Sequence, residues 1–135
     1  MIKSFITVSL FACSTAFAGS WGGAIANVDV IQVTQQNFGQ IEKSTKPVVI
    51  DINATWCSAC QMMNPIIDEL SEEYQGKVIF AKIDIDSQHD LANKYHVSAL
   101  PTIVFLKPGQ ATPVMKVEGA MSKEDFEAKI NELLK

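Results

Sequence analysis

The stretch that most restricts what this chain can become runs from Val48 to Pro65, Val-Val-Ile-Asp-Ile-Asn-Ala-Thr-Trp-Cys-Ser-Ala-Cys-Gln-Met-Met-Asn-Pro. Val48 to Ile52 is a β-branched run broken only by Asp51, the pattern of a central strand buried on both faces. A polar turn then delivers Trp56 and two cysteines, Cys57 and Cys60. Behind them Met63, Ile66, Ile67 and Leu70 recur at helical spacing, opposite Asp68, Glu69, Glu72 and Glu73. This amphipathic pattern predicts a helix over 57–74, with Pro65 removing one backbone donor inside it and Gly76 closing it. The first thiol then lies at a helix N-terminus, where free N–H groups and the helix dipole favour a thiolate.

The other segments arrange around that centre. Val28, Val30 and Val33 suggest a short first strand, and Thr34 a capped helix through about Lys43 with Phe38 and Ile41 inward. Strands are predicted over 78–85, 102–106 and 114–117, with a turn at Pro108-Gly109 and a short helix over 89–95. Ser122, followed by Glu124 and Asp125, opens a last helix through Leu134. The order β-α-β-α-β-α-β-β-α contains parallel crossover units and ends in a hairpin and a helix, an α/β fold in one domain over 28–135. A total of 135 residues suits a single core.

Residues 1–18 read as a signal peptide: Lys3, an apolar run from Phe5 to Ala12 too short to cross a bilayer, and Ala16-Phe17-Ala18 before a cleavage point. Residues 19–27, with Gly22 and Gly23, read as a flexible tail whose Trp21 packs on the domain, binds a partner or does neither. A rival reading takes Leu10-Phe11-Ala12-Cys13 as a lipoprotein box that lipidates Cys13. Export predicts a disulfide-permissive compartment and leaves Cys57 and Cys60 as the cysteines of the mature chain. Such a close pair closes too small a loop to staple a fold. Loss of Lys3 leaves ten lysines against fifteen acidic residues, a charge of about −5. The chain has no arginine, so nucleic-acid binding is not expected.

The whole pattern resembles a thioredoxin. Five features carry the likeness: Trp56-Cys57-Ser58-Ala59-Cys60, Asp51 in the strand before, Pro65 in the helix after, Leu100-Pro101-Thr102, and Gly109 followed by Val117-Glu118-Gly119-Ala120-Met121-Ser122. The likeness spans nearly the whole mature chain and implies the thioredoxin fold, a central mixed β-sheet flanked by helices on both faces. The chain departs from the usual pattern at Ser58-Ala59, where thioredoxins carry Gly-Pro, and at Asn53, where an aromatic residue is common.

The resemblance implies a nucleophilic Cys57 and a resolving Cys60, which requires that the Cys57 sulfur be reachable from solvent. A zinc half-site or an inert disulfide are the other readings of the pair. Zinc needs two more ligands, and the resemblance sets His89 and His96 away from the dithiol, so neither metal nor other cofactor is expected. Asp51 reads as a buried carboxyl of raised pKa that exchanges a proton with Cys60, or as a strand-end carboxylate in water. Lys82 matches a family lysine near that carboxyl, or is a surface lysine. Pro101 matches the family's cis-proline, with Leu100 offering its backbone to an extended substrate. Trp56 shields the cysteines or packs in the core.

Members of the family span roughly −270 to −120 mV, about 7 kcal/mol. Strong oxidants place a histidine between the cysteines, and Ser58-Ala59 supplies none. The expected activity is therefore a periplasmic protein-disulfide reductase working on protein substrates with disulfides or thiols. It would be recharged by a membrane electron donor, not stably inserted in the membrane, and a monomer. A thiol oxidase or disulfide isomerase, and a redox-idle binding module, are the alternatives.

Overall fold

The computed structural model describes residues 30–135. The expected leader, the tail and Cys13 lie outside the described residues. Nine elements follow in order: β1 (Ile31–Gln32), α1 (Phe38–Glu42), β2 (Val48–Asn53), α2 (Ser58–Glu73), β3 (Ile79–Asp84), α3 (His89–Lys94), β4 (Thr102–Leu106), β5 (Met115–Glu118) and α4 (Lys123–Leu133). The sheet order is β1-β3-β2-β4-β5. β3 pairs in parallel with both β1 and β2, whereas β4 is antiparallel to β2 and β5.

Side-chain alternation along the strands sorts two cores. Ile50 and Ile52 of β2 pack with Ala81, Ile83, Val104 and Leu106 against α1 and α3. Val49 points the other way and packs with Phe80, Ile103 and Phe105 against Met63, Ile67 and Leu70 of α2 and Phe126, Ile130 and Leu133 of α4. Helices thus cover both faces, as a mixed α/β sheet requires. α4 starts where Ser122 accepts the Asp125 N–H at 3.1 Å, with Glu124 and Asp125 complementing the helix dipole. No helix among the described residues is long and apolar enough to cross a membrane.

Two expected elements differ in the structure. Val28 lies outside the described residues, and within them the first strand is the pair Ile31–Gln32, held in register with Ala81 and Lys82 at the sheet edge. Val33 beyond it is buried in the α1 side of the core. α1 begins at Phe38 rather than after Thr34, because Asn37 takes the Thr34 N–H on its Oδ1 at 2.8 Å and turns the chain. Phe38 and Ile41 nonetheless face inward as their spacing predicts. Gly76, at φ +81°, adopts the left-handed conformation beyond α2 that other residues resist.

Phe126 joins α4 to the sheet. It is fully buried, edge-on to Phe105 at 5.9 Å and tilted against Phe80 at 6.4 Å. Replacing it with alanine removes these contacts and leaves a cavity. Phe126→Ala should lose ~3–5 kcal/mol in equilibrium denaturant unfolding of the oxidised protein.

Candidate functional site

The site forms where β2 runs out of the sheet. Asn53 ends the strand, and Cys57 caps α2 in an extended conformation. Its Sγ accepts the Cys60 backbone N–H at 3.2 Å, satisfying a donor that the first helical turn leaves free. Cys57 and Cys60 are joined as a disulfide with Cα atoms 5.3 Å apart. The cysteines differ in access. Cys57 retains 8% of its surface and lines an open groove with Trp56, Ile85 and residues 97–100, whereas Cys60 retains 2%. The expected access to sulfur 57 is therefore narrow and runs through that groove.

Leu100 lines the groove, and the Leu100-Pro101 peptide bond that follows is cis. Thr102 opens β4 opposite Ile52, so the register brings Pro101 to the level where β2 ends. Behind it the Pro101 carbonyl accepts the Gly119 N–H at 2.8 Å, with Gly119 at φ +94°. A side chain would be strained in that conformation, which accounts for glycine after β5. Trp56 is 69% exposed, which removes core packing as its reason. Its indole N–H donates to Asp86 Oδ2 at 2.8 Å, holding the ring at the groove's rim.

Asp51 lies on the α2 face of β2 and is 1% exposed, which rules out a strand-end carboxylate in water. Burial pushes its pKa from 3.8 up to about 6, against the opposing pull of the Asn53 amide and the Lys82 charge. Asn53 donates to Oδ2 at 2.7 Å, and Oδ1 has no hydrogen-bond partner. Lys82 is the register neighbour of Asp51 on β3, half-buried rather than a free surface lysine. Its ammonium donates to Asn64 of α2 at 2.9 Å. Among the described residues no cluster of three or more His, Cys, Asp or Glu is arranged to hold a metal ion.

The structure thus brings Cys57, Trp56 and Leu100 together around the groove, with Pro101 next in the chain, and sets Cys60 and Lys82 on a second pocket shared with Asn53 and Asn64. Asp51 is buried at the register position paired with Lys82. Besides the Asn53 amide on Asp51, two partners escaped sequence reasoning. Asn64 follows Cys60 by four residues, a same-face spacing that could have exposed it. Asp86 is thirty residues from Trp56, and nothing local announces the contact.

A family model described as thioredoxin matches residues 29–132. The chain belongs to the thioredoxin family. Thioredoxin H4 of Arabidopsis thaliana is 42% identical over 108 residues, covering 80% of this chain and 88% of that protein. The chloroplastic thioredoxin Y of Oryza sativa subsp. japonica is 41% identical over 107 residues, covering 78% of this chain, though the chain spans only 62% of that relative's length. The crystal structure of Malassezia sympodialis thioredoxin (Mala s 13) superposes with a TM-score of 0.70 at 34% identity, covering 78% of this chain and 91% of that one. The described residues therefore carry a thioredoxin fold with an oxidised Cys57–Cys60 pair.

The raised pKa of Asp51 makes this thioredoxin-family domain's stability depend on pH. The fold favours the protonated carboxyl, so its contribution is fully present below the unfolded value near 3.8 and is lost as pH rises through about 6. A shift of that size corresponds to on the order of 3 kcal/mol. Oxidised Asp51→Asn should match the wild type more closely near pH 4 and gain on it by up to about that amount near pH 7.5. Denaturant unfolding at the two pH values checks this, and an advantage that is constant with pH would contradict it.

Proposed function

We propose that this protein is a thiol–disulfide oxidoreductase that reduces disulfides of other proteins in the periplasm. One observation carries the reading. Of the two linked cysteines, Cys57 caps the helix N-terminus and lines the groove beside Trp56 and Leu100, while Cys60 is the more deeply buried of the pair.

In the reduced form, the Cys57 thiolate attacks one sulfur of a partner's disulfide. The partner's other sulfur leaves with the bonding electron pair, and a mixed disulfide forms. Cys60, one helical turn along, loses its proton to Asp51 and attacks Cys57. The partner's second thiolate departs, and two electrons have passed to it. The Cys57–Cys60 disulfide is the product of that cycle. The exposed face of Trp56 and the backbone of Leu100 beside Pro101 supply the surface along which an extended partner segment lies, with Lys82 adding positive charge near Asp51.

The reducing direction rests on Ser58-Ala59, which offers no imidazole to stabilise the thiolate, and on Asp51 as proton acceptor. Periplasmic work rests on the leader-like segment 1–18. An oxidising compartment would drain the dithiol, so a membrane-borne electron donor must restore it. Clients of the right chemistry are mispaired disulfides and cysteines that must stay reduced for cofactor attachment.

The purified protein should reduce a disulfide-bonded substrate protein with dithiothreitol as electron source, and Cys57→Ser should abolish this. Cys60→Ser should accumulate mixed disulfides with its clients in cells, separable on non-reducing gels and found in the periplasmic fraction. A potential above about −150 mV would favour an oxidase instead, and a Cys57→Ser variant that restores the cellular phenotype would make the protein a binding module.

A further inference from the structure

Asn53 follows Asp51 by two residues on β2, so both side chains emerge on the α2 face. Its Nδ2 donates to Asp51 Oδ2 at 2.7 Å, while Oδ1 is buried without a partner. We propose that Asn53 is a positioning residue for the proton step, its amide fixing the Asp51 carboxyl so that Oδ1 is the oxygen that takes and returns the proton. This deepens the proposed function and rests on its reading of Asp51 as proton acceptor.

The chemistry of the contact selects the atom. A protonated oxygen is a weaker acceptor than a bare one, so the Asn53 N–H held 2.7 Å from Oδ2 favours the proton on the other oxygen of the carboxyl. The proton is left with Oδ1. The same donor favours the ionised carboxyl and so opposes burial, keeping the group able to discharge.

The neighbours make Asn53 the direct polar contact. On β3, Lys82 stands beside Asp51 but donates to Asn64, and no Lys82–Asp51 ion pair forms within 4.0 Å among the described residues. Asp84 lies one step further along β3, opposite Asn53. β4 contributes the apolar Ile103, and Cys60 of α2, across the pocket shared with Asn53, does not titrate while oxidised. A pocket of about 340 Å³, lined by Asn53, Cys60, Asn64, Lys82, Asp84 and Gln32, opens to solvent at this point. The step balances. The Cys60 S–H proton passes to Oδ1 as the sulfur bonds to Cys57. The Cys57–partner bond breaks, its electron pair leaves on the partner's thiolate, and Asp51 gives up the proton before the next turnover.

The test follows the Asp51 carboxyl by carbon-13 NMR titration of the oxidised protein. Asn53→Leu keeps similar volume and removes the donor. Asn53→Gln keeps a donor with room to adjust in the pocket. The Asp51 midpoint should rise by about one pH unit, tenfold in proton affinity, in N53L and stay near the wild-type value in N53Q. The pH at which resolution of a mixed disulfide is half-maximal should move with it. An unmoved midpoint in N53L, or equal shifts in both variants, would overturn the proposal. Should N53L not fold, N53A takes its place in the same comparison. The titration needs no turnover, so its failure removes the role of Asn53 and leaves disulfide exchange at Cys57 to stand or fall on the trapping experiment.

Discussion

The structure depends on β2 being hydrogen-bonded along both edges, in parallel to β3 and antiparallel to β4. A strand so placed has no solvent-facing edge, and both its faces are covered by helices. Every side chain from Val48 to Ile52 is therefore buried, including the one carboxyl among them. The same ladders decide what arrives at the strand's end. Parallel pairing sets Lys82 beside Asp51, and antiparallel pairing makes β4 start opposite Ile52, so that Pro101 faces the turn carrying the cysteines. One register thus assembles parts drawn from residues 51 to 101.

Within that frame the two sulfurs become unlike through position alone. Cys57 precedes the first helical residue, where its sulfur meets a backbone N–H and borders the groove. Cys60, three residues on, points into the cluster formed with Ala54 and Cys57 and flanked by Ala59, Ile85 and Leu100. Asp51 is buried on the α2 side of β2, where its carboxyl is shielded from water.

Much of this was legible in the sequence because the decisive patterns are local. The β-branched run around Asp51, the stripe behind Cys57 and the cap at Ser122 each lie within one element, and each predicted its element closely. The first strand and helix were less legible. Ile31–Gln32 is held by an edge pairing rather than by propensity, and Asn37 competes with Thr34 for the helix start through a side-chain turn. Polar partners brought together by the fold were illegible in proportion to their separation. Asn53 beside Asp51 stood out as a departure from the family pattern, but its bond to the carboxyl did not, and the pairing of Trp56 with Asp86 left no local trace.

The charges around α2 are distributed unlike those around α4. Helix N-termini are stabilised by acidic residues in the first turn, and α4 uses Glu124 and Asp125 in this way. α2 is longer, at 16 residues, yet its first turn holds no acidic residue, and its acids stand further along on the solvent face. A carboxylate in that first turn would neutralise the positive end of the helix and repel a second negative charge beside it. Its absence leaves the free N–H groups and the dipole to the sulfur of Cys57. Ser58 and Ala59 bring no charge of their own, so at this end of α2 the backbone supplies the electrostatics.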